Sequence, residues 1–104
     1  FSRWVRQQGI EAPSGPRVAG HIEACRAVTD GTASAAVTVE PAAVAAGLRF
    51  TPLEEHVVQL WCPHDLLADP DVSAVLDRFR SAAFADRLAA LPAYDLSALG
   101  RAVA

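Results

Sequence analysis

Glycine and proline cut this 104-residue chain into short lengths, and that punctuation restricts its fold more than any other feature. Gly9, Gly31 and Gly47 each follow a segment with helical character, at the position just past a helix end where a left-handed residue closes the last turn. Pro41 and Pro70 fall at first helical positions, where a missing N–H costs nothing, and Pro92 stops a closing helix. The chain is therefore read as a series of short elements. Arg, Asp, Glu or His interrupts every apolar stretch well before the roughly 18 residues of a membrane helix, so a membrane protein is not expected.

A 52% hydrophobic and 20% charged composition places the chain among globular sequences, and its length allows one domain or a piece of one. Its nine basic residues, all Arg, are outnumbered by twelve acidic ones spread along the chain, for a net charge of −3. Phosphate binding needs clustered positive charge, so direct nucleic-acid contact by this segment is not expected. Cys25 and Cys62 are far apart, lack CxxC spacing and have apolar neighbours, which reads as two free thiols in a reducing, cytoplasmic compartment. The chain begins at Phe1 without a Met or a signal-peptide pattern, and reads as a piece of a longer protein.

Helices are expected over Phe1–Gln8 and Gly20–Asp30, the second from the spacing of Ile22, Ala24, Cys25 and Val28. A short strand is expected at Val18 and a buried one over Ala33–Val39, followed by a short helix from Glu40 and Pro41 to Ala46. Leu48–Leu53 and Val57–Cys62 are β-prone runs, the first marked as an edge or crossover by Pro52. Asp69 and Pro70 then open the clearest helix, with Val72, Val75, Leu76 and Phe79 at i, i+3, i+4 and i+7. Ser81 caps a last helix bearing Phe84, Leu88 and Leu91, and Tyr94–Ala104 is an irregular tail. Helices alternating with short apolar strands predict an α/β fold with a short, mostly parallel sheet flanked by helices.

Three ordered stretches resemble a known family: Gly20-His21-Ile22-Glu23-Ala24 with Ala27-Val28-Thr29-Asp30-Gly31, then Gly47-Leu48-Arg49-Phe50-Thr51-Pro52-Leu53, then Phe84–Leu88 with Leu91–Asp95. The sequence is similar to the C-terminal part of the periplasmic-binding-protein-like (PBP-like) domain. Such domains occur fused to helix-turn-helix regulators and to molybdopterin-biosynthesis proteins, and are related to molybdate-type solute-binding proteins. The resemblance implies one lobe, plus crossover elements, of a type II binding-protein fold with a small ligand in the cleft. On that mapping residues 1–48 belong to the second lobe, 49–62 cross over, and 63–104 return to the first lobe. Ser34, Ala36 and Thr38 stand where the family has Asp, Gly and Gly.

Gly20 and His21, at a helix start, could offer backbone N–H groups and an imidazole to an anionic ligand, and Thr38 and Glu40 follow a strand end where α/β sheets bind ligands. These four are the candidate ligand-binding residues. His64, Asp65, Asp69 and Asp71 form the densest polar cluster, but Asp69 has a capping role and no metal or cofactor is expected. Glu54 and Glu55 read as a solvated turn, and no nucleophile elbow is present, so no enzyme is expected. The expected function is a small-molecule, possibly oxyanion, sensing domain of a bacterial transcriptional regulator. The alternatives are a solute-binding component for molybdate-type transport or molybdenum cofactor assembly, and an oligomerisation scaffold with a decayed ligand site. Exposed strand edges suggest a homodimer.

Overall fold

A computed structural model describes residues 1–103. Helix α1 spans Ser2–Gln7, α2 His21–Thr29, α3 Glu40–Ala45, α4 Pro70–Phe79 and α5 Ala82–Ala89, with a 3-10 turn at His64–Ala68. The chain divides into two compact units, Phe1–His56 with α1 to α3, and a second from Val57 onward with the 3-10 turn, α4 and α5. No helix among the described residues is long and apolar enough to cross a membrane.

The glycine stops act as read from the sequence. After α2 the Gly31 N–H bonds to Val28 O at 3.1 Å and the Thr32 N–H to Ala27 O at 2.9 Å, the paired bonds of a Schellman end. After α3, Gly47 and Leu48 bond to Val44 O and Ala43 O at 3.0 and 2.9 Å in the same pattern. Both glycines take positive φ, 78° and 69°, which a side chain would resist. In the second unit Oδ1 of Asp69 accepts the N–H groups of Asp71 and Val72, and Ser81 Oγ accepts that of Phe84. Two side-chain caps thus fix the starts of α4 and α5.

The α/β expectation is overturned: the structure is helical, with no strand among the described residues. Val18, Ala33–Val39, Leu48–Leu53 and Val57–Cys62 all lie outside regular structure. The reason is that a strand, unlike a helix, needs a neighbour for its backbone bonds. Pro13, Pro16 and Pro52 offer no N–H to a ladder, and Ala33, Ala35 and Ala36 have little β preference. The stretches around Val18 and Ala33–Ala36 line a hollow of about 300 Å³ beside Ala24 and Ala27 of α2 instead of pairing. β-Branched residues marked where strands could form, without providing the partner.

Among the described residues the buried side chains, Val5, Ala24, Cys25 and Ala43, all lie in the first unit, where α2, with Ala24 and Cys25, packs on α3, with Ala43. Ala24, Cys25 and Ala43 are small enough to let the two short helices approach closely. In the second unit α4 and α5 meet through Phe79 and Phe84, whose rings stand edge to face at 4.9 Å, and none of its described residues is buried.

Candidate functional site

Gly20 is the N-cap of α2, with extended backbone and no side-chain cap on the first turn. His21 follows as the first helical residue and is exposed. Its carbonyl oxygen accepts a hydrogen bond from the Thr38 hydroxyl at 3.3 Å, and the Cys25 thiol donates to the same hydroxyl oxygen at 3.6 Å. Thr38 lies two residues before Glu40, which opens α3. One half-buried hydroxyl therefore ties the first turn of α2 to the residues that lead into α3.

This arrangement brings three of the four expected site residues, Gly20, His21 and Thr38, to one place, with Glu40 joined to them along the chain through Val39. The Thr38 hydroxyl is bonded on both sides, as donor to the His21 carbonyl and as acceptor from the Cys25 thiol. Ser34 and Ala36 line the hollow beside α2. An Oε of Glu23 stands 3.0 Å from where a Cβ on Gly20 would lie, so that carboxylate folds back over the helix start. Glu40 adds a second acidic group in the first turn of α3. Carboxylates are favoured at such helix starts. The starts of α2 and α3 together carry backbone donors, a hydroxyl, an imidazole and two carboxylates.

Among the described residues no group of three or more His, Cys, Asp or Glu is placed to hold a metal ion. Asp69 of the expected polar cluster is occupied in capping α4. Cys62 is half-buried and its thiol donates to the Pro63 carbonyl oxygen at 3.4 Å, while Cys25 is buried; both are free thiols.

Glu54 is exposed, as read from the sequence, but it lies outside any turn and has ion-pair partners that the reading lacked. Its carboxylate meets Arg3 Nη2 at 3.4 Å, His56 Nε2 at 3.6 Å and the Phe1 amino group at 3.7 Å. Partial desolvation works against the charged form, but the Arg3 hydrogen bond, with the Arg3, His56 and amino-terminal charges, outweighs it and holds the carboxyl below its usual range. Glu54 ties α1 to the end of the first unit. Fifty-one positions separate Arg3 from Glu54, and no local sequence signal spans that gap.

Comparison with known proteins supplies the class. The family model described as PBP superfamily domain matches residues 1–80, from α1 to the residue after α4. The chain belongs to this family, and membership carries a ligand-binding role. The similarity read at Phe84–Asp95 lies beyond the matched residues. No curated protein and no solved structure gave a match.

Proposed function

We propose that this chain is part of the small-molecule sensing domain of a bacterial transcriptional regulator of the helix-turn-helix type, working in the cytoplasm and without catalysis. Gly20, His21, Thr38 and Glu40 contact the ligand. The observation that carries this reading is the Thr38 hydroxyl bonded to the His21 carbonyl, because it draws the starts of α2 and α3 together in a chain of the PBP family. A ligand held there changes the relative placement of α2 and α3 only if it prefers one arrangement, and such a preference is what a regulator transmits.

The charges around the site refine the ligand class. Glu23 over Gly20 and Glu40 at the start of α3 repel an oxyanion and attract an amine or hydroxyl donor. The uncapped start of α2 supports the second reading, an oxyanion carrier for molybdate-type transport or cofactor assembly, since its N–H groups favour anions. Of the two, the small polar molecule bearing donors fits the carboxylates better.

Thermal denaturation of the chain against two panels separates these readings: molybdate, tungstate and sulfate in one, small amines, amino acids and polyols in the other. Binding to the folded form raises the midpoint with concentration by mass action. The sensing reading expects a rise from the donor panel that Thr38→Val weakens by about tenfold, through loss of one hydrogen bond worth about 1.4 kcal/mol. A rise from the oxyanion panel alone supports the carrier. No rise from either panel in a folded sample, or a rise indifferent to Thr38→Val, contradicts ligand binding at these residues and favours a scaffold.

A further inference from the structure

Of the buried side chains among the described residues, Val5, Ala24, Cys25 and Ala43, only Cys25 carries a hydrogen-bonding group. It lies on α2, is 3% exposed, and places its thiol 3.6 Å from the Thr38 hydroxyl oxygen. That hydroxyl in turn stands 3.3 Å from the His21 carbonyl oxygen. A carbonyl only accepts, so the Thr38 proton is turned to His21 and the thiol, a weak donor, gives its own proton to Thr38. A threonine hydroxyl has one proton and two lone pairs. Here the proton and one lone pair are used, and among the described residues no other group donates to the oxygen. Thr38 is only half-buried, and one lone pair is left for a group from outside the chain.

We infer that Cys25 is a positioning residue that sets the polarity of Thr38, so that the ligand group seated there is a hydrogen-bond donor, an N–H or O–H. This deepens the sensing reading and rests on it. An anionic oxygen arriving at Thr38 would meet a lone pair, and could be given the proton only by breaking the bond to His21. A donor meets the lone pair with no bond exchanged. The thiol acts on conformation as well as on polarity. Threonine χ1 has three staggered wells, and a hydroxyl bonded on two sides at once is held in one of them. Released from the thiol and spread over the wells, Thr38 would present the binding arrangement about one-third of the time, and apparent affinity would fall by that fraction. Cys25 does this from inside the core, without touching the ligand. The carboxylates of Glu23 and Glu40 at the two helix starts favour the same ligand polarity by a separate, longer-range effect.

Nuclear magnetic resonance of the full chain, as wild type, Cys25→Ser and Cys25→Ala, tests this with ethanolamine and glycerol as donor probes and sulfate and molybdate as oxyanion probes. Three-bond couplings should show one Thr38 χ1 rotamer in the wild type and in Cys25→Ser, which keeps a donor, and averaging in Cys25→Ala. Affinity for the donor probes should fall about threefold in Cys25→Ala and recover in Cys25→Ser. Cys25→Val, close in size and without a donor, gives the same readout should Cys25→Ala disturb α2. A Thr38 side chain averaged in the wild type, or fixed as firmly in Cys25→Ala and Cys25→Val, overturns the role of Cys25 whatever the probes do. Oxyanion probes that bind and are lost in Thr38→Val overturn the polarity. Binding of no probe while the couplings still follow Cys25 overturns the ligand reading beneath the inference, and is told apart from the other failures by those couplings.

Discussion

The two units of this chain were built with opposite strengths. The second has the better local helix signals: Asp69 and Ser81 cap α4 and α5, Pro70 opens the first turn, and Phe79 meets Phe84. Yet none of its described residues is buried. In the first unit no helix has a side-chain cap, and every buried residue of the described chain lies there. Capping contributes about 1 kcal/mol per helix, whereas burying Val5 contributes about 2 kcal/mol and the small side chains Ala24, Cys25 and Ala43 about 1 kcal/mol each at most, summed over the unit. The first unit therefore holds its helices through contact, and the second through local chemistry. The candidate ligand residues fall in the unit whose geometry is fixed by contact, which is what a site with a defined spacing needs.

Overpacking the first unit should give the largest effect. Ala43→Leu at a position 2% exposed should cost about 2 kcal/mol and lower amide protection in α2 and α3 while leaving α4 unchanged. Equal loss in both units would break the distinction between them. Next in size is Asp69→Ala, expected to cost about 1 kcal/mol and to fray α4, with Asp69→Asn retaining most of the cap; circular dichroism of the two variants reads the difference. Ala93→Gly should be neutral or stabilise by up to about 1 kcal/mol, because Ala93 sits at φ 69° where glycine is unstrained; its urea midpoint measures this.

The smallest effect concerns pH. The carboxyl of Glu54 is held below its usual range, so its contribution to stability is fully present above the unfolded value near 4.5 and is lost as pH falls through the lower folded value. Acid titration should loosen α1 from the first unit in that window, and Glu54→Gln should remove the dependence. A wild-type profile unchanged by Glu54→Gln would show that α1 is held by Val5 alone.

Helices were legible because their determinants are local. Gly31 and Gly47 close α2 and α3 with the bonds their positions foretell, and the Asp69–Pro70 pair opens α4 where expected. Strands were not legible, since Ala33–Val39 and Val57–Cys62 carry the right residues without a neighbour to bond, and β composition cannot show whether that neighbour is present. At the site, a helix start and an expected strand end directed attention to His21 and Thr38; the strand is absent, and a hydrogen bond joins the two residues. The role of Cys25 in holding Thr38 was hidden, because a cysteine among alanines reads as core packing alone. Glu54 was hidden for a different reason: its partner Arg3 is distant in sequence, and paired glutamates next to a histidine have the pattern of an ordinary turn.

Residue-resolved hydrogen exchange on the full chain tests the central contrast most directly. Protection should be highest in α2 and α3, around Ala24, Cys25 and Ala43, and lower throughout α4 and α5 despite their caps. Protection in α4 and α5 equal to or above that of α2 and α3 would contradict the account, because local helix chemistry would then outweigh burial in this molecule.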